Sequence, residues 1–121
     1  MKLIEQYIRA LEQCVHTALS ELFAPEGTIR DYCPTSTGRA HEYHVYGKEA
    51  IDMFFRNKFV FRQYHIYGAE ILSDTQAKFF ATIGGYCVMA IATIRRVDEN
   101  GLNDCTFVQN KTHFRKKEPP C

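Results

Sequence analysis

Apolar residues at Leu3, Ile4, Tyr7, Ile8, Leu11, Val15, Ala18, Leu19 and Leu22 recur at three- and four-residue steps. This spacing lays one wide apolar stripe along a helix, which must pack onto another element. Pro25 and Gly27 end the pattern, because proline restricts the residue before it and glycine allows a turn. Thr28-Ile29-Arg30-Asp31-Tyr32 then reads as a strand, and Cys33 to Gly38 as a polar loop rich in turn formers. His41 to Tyr46 alternates, with faces His41/Tyr43/Val45 and Glu42/His44/Tyr46 of similar polarity. Gly47 interrupts it. A second helix follows from Lys48 to about Asn57, with Ile51, Phe54, Phe55 and Lys58 at helical spacing.

Strand patterns fill the remainder. Arg62 to Ser73 carries Tyr64, Ile66, Ala69 and Ile71, and its Gly68 predicts a bulge or bend. Ser73-Asp74-Thr75 is a turn, and Ala77 to Ile83 a strand. Gly84-Gly85 marks either a hairpin turn or a sharply bent continuous strand. Tyr86 to Val97 is rich in strand formers, Asp98-Glu99-Asn100-Gly101 is a hairpin signal, and Leu102 to Phe114 is a last strand. Tight turns between successive strands predict antiparallel pairing, with helices segregated to one face. The expected fold is α+β: a long N-terminal helix and a second short helix packed on a strongly curved, mostly antiparallel sheet. Such a sheet wrapped over a helix leaves a conical pocket of the kind that takes ligands.

Composition narrows the class. With 121 residues, 45% apolar and 24% charged, the chain is sized for one globular domain with its own core. Residues 1–115 are expected to form that domain, and 116–121 a disordered tail. A formal net charge of +1 gives no long-range attraction to nucleic acid or an acidic membrane. The basic run Arg115-Lys116-Lys117 reads as a solvated end. No apolar run approaches a membrane span; the longest, Tyr86 to Ile94, has strand length. The opening MKLIEQYIRALEQ is charged and amphipathic, with neither an h-region nor a cleavage site. The five cysteines contain no CxxC pair. Together these predict a reduced, cytoplasmic protein with free thiols, Cys14, Cys87 and Cys105 filling the core and Cys121 exposed.

The segments LFAPEGTIRDY (22–32) and VYGKEAIDMFF (45–55), in this element order, resemble the nuclear-transport-factor-2-like superfamily. It includes ketosteroid isomerases, SnoaL-like polyketide cyclases, scytalone dehydratase, limonene epoxide hydrolase and many proteins without known chemistry. The resemblance covers nearly the whole chain in element order and is sharp at those two segments. Compared with ketosteroid isomerases, Tyr7 and Asp31 match, with no gap between them, a catalytic tyrosine in the first helix and a general-base aspartate on the next strand. The resemblance implies that Asp31 moves a proton next to a carbonyl while hydroxyl donors hold the enolate oxygen. Two departures argue against steroid isomerisation as such. The strand expected to carry a second oxyanion acid reads Ala90-Ile91-Ala92-Thr93-Ile94, where Thr93 is the nearest polar substitute, and Tyr32 replaces the usual proline after the aspartate.

Each candidate also has a structural reading. Asp31 can be a strand-end carboxylate paired with Arg30 or Arg39, and Tyr7 a core aromatic. The segment from Tyr43 to Tyr67 is dense in tyrosine and histidine; it lines a pocket or forms a wet dimer interface. His44 and His65 are candidate acid or base partners of Asp31, and Tyr32 and Phe55 candidate pocket-lining residues. His41 and His44 fall on opposite strand faces, and there is no HExxH or carboxylate cluster, so no metal and no cofactor is expected. The functional expectation is a small, mostly apolar, oxygen-bearing ligand. Cofactor-free proton transfer of isomerase, cyclase or dehydratase type stands beside non-catalytic binding or dimerisation by the same fold. A homodimer through the open sheet face is expected in either case.

Overall fold

The computed structural model describes residues 2–34, 40–61, 63–83, 86–99 and 101–116, and side chains at 2–31, 44–61, 63–82 and 87–99. Three helices and six strands follow in the order α1 (Leu3–Gln13), α2 (His16–Glu21), β1 (Phe23–Pro34), β2 (Ala40–Tyr46), α3 (Lys48–Val60), β3 (His65–Ile71), β4 (Gln76–Ile83), β5 (Tyr86–Asp98) and β6 (Gly101–Lys116). The architecture is α+β, as the strand and helix periods predict.

The N-terminal stripe is real but its helix is divided. Ile4, Tyr7, Ile8, Ala10 and Leu11 are buried on α1, and Glu5 accepts a hydrogen bond from the Lys2 N–H at 3.2 Å. Cys14 then adopts a left-handed conformation (φ 57°), its N–H bonding Leu11 O at 3.1 Å while Val15 N–H bonds Ala10 O at 3.1 Å. That pair of bonds closes a helix end in the Schellman manner, with cysteine where glycine is usual. Apolar spacing carries no trace of this break, because α2 resumes and buries Leu19 in the same core. Pro25 and Gly27 also lie inside β1 rather than in a turn; the helix has already ended at Leu22.

The sheet order is β2-β1-β6-β5-β4-β3. Every neighbouring pair is antiparallel except β1 and β6, which run parallel and join the two ends of the chain near the sheet centre. Ile83 faces Tyr86 and Asp98 faces Gly101, so the chain reverses at both places as a hairpin. Gly68 has φ 63°, and the β3–β4 register shifts between Tyr67 and Glu70, which makes it a bulge.

Alternation along the strands sends Ile29 and Asp31 of β1, Ala77, Phe79 and Ala81 of β4, and Ala90, Ala92 and Ile94 of β5 to one face, where all are buried. The helices cover that face: α1 contacts β3 and β4, α3 contacts β1 and β2, and α2 contacts α1, α3 and β1. Met89, Ile91 and Thr93 of β5 point the other way and are half-buried. Cys14 is a free thiol. Cys87 is disulfide-bonded, which corrects the expectation of free thiols; its partner lies outside the residues whose side chains are described. Residue spacing could not show that bond, because folding brings together cysteines that are remote in sequence. The Cys33–Gly38 loop beyond Pro34, the side chains of Cys105 and His113, and the tail with Cys121 also lie outside the described residues.

Candidate functional site

Asp31 is the most deeply buried charged side chain described, at 1% exposure. Strand alternation aims it with Ile29 toward the helices, and the ladder aligns it with Tyr43 of β2 and Phe107 of β6. Phe107 in turn aligns with Ala92, and Ala92 with Ala77. One transverse row of the sheet thus runs from the carboxylate to two small, fully buried side chains.

The partner of Asp31 comes from α3. Ile51, Phe55 and Lys58 are its buried residues, spaced four and three apart, so a lysine occupies the inward stripe. Lys58 Nζ lies 2.6 Å from Asp31 Oδ2, a charge-assisted contact between side chains that are 10% and 1% exposed. The ammonium also sits over two rings, 4.9 Å from the centre of Phe54 and 4.6 Å from that of Tyr64. Tyr64 is held there by backbone: its N–H bonds Lys58 O at 3.0 Å, after a left-handed Gln63 (φ 51°) has turned the chain back on α3. Arg30 and Arg39 are the partners expected for Asp31. Arg30 alternates to the opposite strand face, and Arg39 lies outside the described residues.

Tyr7 and Phe55 join the same interior. Tyr7 is fully buried and meets Phe23 edge-on at 6.2 Å and Phe55 at 6.3 Å. Phe55 stacks on Phe59 at 6.0 Å and Phe59 meets Tyr64 at 6.2 Å, so an aromatic chain runs from Tyr7 to the rings around Lys58. Tyr7, Phe55 and Asp31 are therefore on the helix side of the sheet.

The other candidates are placed elsewhere. His44 is opposite Arg30 in the ladder, on the face away from Asp31, and is exposed; its Nδ1 lies 2.9 Å from the Tyr46 hydroxyl. Thr93 accepts a hydrogen bond from Gln76 Nε2 at 3.1 Å on the face opposite Ala92. His65 is exposed at the start of β3, its Nδ1 3.6 Å from Cys14 Sγ. Burial pushes the Cys14 thiol pKa up. The Tyr32 side chain lies outside those described. Lys58 is the residue that the functional reading of the sequence passed over, although a lone charge on an apolar helical stripe was its visible signal. Among the described residues, no group of three or more histidine, cysteine or carboxylate side chains could hold a metal ion, and no helix is long and apolar enough to cross a membrane.

No family model and no curated protein matches the sequence. Solved structures do match. A ketosteroid-isomerase-like protein from Kribbella flavida aligns with 98% of this chain and 80% of its own, at 16% identity and a TM-score of 0.63. The epoxide hydrolase/cyclase-like enzyme SalBIII, which acts in pyran ring formation in the polyether salinomycin, aligns over 95% and 93% at 14% identity and a TM-score of 0.67. RV0760c of Mycobacterium tuberculosis, solved in complex with estradiol-17β-hemisuccinate, aligns over 93% and 95% at 16% identity and a TM-score of 0.63. At these identities the likeness is one of fold: the chain has the nuclear-transport-factor-2-like fold.

Proposed function

We propose that the chain binds a small, mostly apolar, oxygen-bearing molecule on the helix side of its sheet, and that Asp31 serves as the base in cofactor-free proton transfer. One observation carries this reading: a carboxylate at 1% exposure, ion-paired at 2.6 Å inside an aromatic and aliphatic interior. Burying such a pair contributes little to stability compared with apolar side chains of the same volume. Desolvated charges among apolar side chains are common at ligand and proton-transfer sites. The fold supports the same reading, since solved neighbours include a cyclase-like enzyme and a steroid-derivative complex.

A thermal-shift screen of apolar ketones, enones and sterol-like compounds tests the binding half. A ligand at a hundred times its dissociation constant raises stability by about 2.7 kcal/mol. If none raises the melting temperature, the binding half falls. With a turned-over compound in hand, Asp31→Asn is expected to abolish turnover; unchanged turnover removes Asp31 as the base.

A second reading, a non-catalytic binding or dimerisation module, is favoured by the sheet face opposite the helices. There Tyr67 stacks on Phe80 at 6.0 Å, and Phe80 faces Met89 in the ladder. A homodimer through that face predicts a mass of two chains in light scattering, falling to one on Phe80→Glu. Neither nucleic acid nor membrane belongs to the proposed partners; the proposed setting is the cytoplasm, where the disulfide at Cys87 would be uncommon.

A further inference from the structure

The sheet has two edges, and they differ. β3, at one end, carries the Gly68 bulge, which shifts its register with β4 between Tyr67 and Glu70. Bulges of this kind guard an edge against further pairing. β2, at the other end, pairs with β1 without a shift over its seven residues, Ala40–Tyr46, and holds no proline, glycine or lysine. We infer that β2 is a docking edge for a second copy of this chain, paired antiparallel with the same strand about a two-fold axis at Tyr43. The inference is independent of the ligand reading and concerns the edge of the sheet rather than its face.

Backbone hydrogen bonding fixes which atoms the edge offers. The Gly47 N–H donates to Gly27 O at 2.7 Å, and these two residues continue the β1–β2 register. Antiparallel bonds alternate along a strand, so His41, Tyr43 and Val45 bond to β1, while Ala40, Glu42, His44 and Tyr46 turn backbone N–H and C=O groups outward. The outward groups of two copies must meet each other, which sets even-numbered residues opposite even-numbered ones. Three registers near the middle of the strand satisfy that. One places Glu42 opposite Glu42 and another His44 opposite His44, so both oppose like residues at the axis. The register between them pairs Ala40 with Tyr46 and Glu42 with His44, each twice by symmetry. Of the three, it alone overlaps the two strands in full, forms about eight backbone hydrogen bonds and sets an acidic residue opposite a histidine. His44 is exposed, and its Nδ1 already lies 2.9 Å from the Tyr46 hydroxyl, which leaves Nε2 to meet a carboxylate. An edge that complements itself in this way is what a two-fold pair requires.

Amide hydrogen exchange followed by NMR at low and high micromolar protein tests this, with mass from light scattering on the same samples. At high concentration the amides of Glu42, His44 and Tyr46 are expected to exchange more slowly by about tenfold or more, and the mass to reach two chains. Dilution is expected to reverse both effects, while Tyr43 and Val45 stay protected by β1 at every concentration. His44→Glu, which opposes like charges at the Glu42 pair, is expected to abolish the slowing and the dimer. Glu42→Lys/His44→Glu exchanges the two signs and is expected to restore them. Phe80→Glu, on the sheet face, is expected to leave both unchanged. A monomer at every concentration, freely exchanging amides at 42, 44 and 46, or a dimer that Phe80→Glu breaks and His44→Glu spares overturns the inference. The exchange measurement needs wild type alone, so it decides even where a variant fails to fold.

Discussion

Substitution of Lys58 by methionine is the sharpest perturbation of this structure. Methionine keeps the length and most of the volume of the lysine stem, so the packing against Phe54 and Tyr64 survives while the charge is lost. Asp31, at 1% exposure, then loses the cation at 2.6 Å. Breaking a buried pair from one side costs about 3–5 kcal/mol. Removing both charges is a different matter. Asp31→Val/Lys58→Met places a β-branched residue on a strand and an apolar one on the helix stripe. Replacing a buried pair by apolar residues ranges from neutral to stabilising by about 1–4 kcal/mol. Urea unfolding is the assay, followed by circular dichroism. With a slope of about 2 kcal/mol per molar, the single variant should unfold about 2 M earlier than wild type, and the double variant at or above the wild-type midpoint. The coupling of the two sites then has the sign and size of a buried pair. A single variant within about 1 kcal/mol of wild type, or a double variant whose losses simply add, would refute the reasoning. The expected result would also mean that stability alone does not account for the pair.

Three other outcomes can be checked directly. Gly101 has φ 124°, and a Cβ there would lie 2.7 Å from Leu22 O and 3.2 Å from Phe23 C, both backbone atoms. Gly101→Ala should therefore cost at least about 1–3 kcal/mol in urea unfolding, and an unchanged midpoint would contradict it. Phe55→Ala removes a fully buried ring that touches Tyr7, Phe54 and Phe59, and should cost about 3–5 kcal/mol by the same measurement. Because burial raises the Cys14 thiol pKa, less of it is thiolate at pH 8 than in the unfolded chain. Alkylation followed by peptide mass mapping should thus be slower in the folded protein and quicken as pH rises past the ordinary thiol range; equal rates folded and unfolded would refute this.

Much of the fold was legible as periodicity. Steps of three and four located α1 and α3, alternation located the strands, and Gly68 and the Asp98–Gly101 segment announced a bulge and a reversal that are both present. Those signals are local, since a helix or strand turns its own side chains to a fixed face. The sequence by itself thus determined that Tyr7 and Phe55 lie on buried stripes, and it put Asp31 on a strand. It did not determine which face of the sheet each polar residue would share with which helix. His44 and Thr93 turned to the face away from the helices, and Cys87 entered a disulfide. Only the tertiary structure decided that β1 would pair in parallel with β6 and that α3 would cross Asp31 at the height of Lys58. The two residues are 27 positions apart, and nothing in either local pattern names the other. Their pairing depends on the sheet order and on where α3 lies over β1, both set by the packing of the whole core.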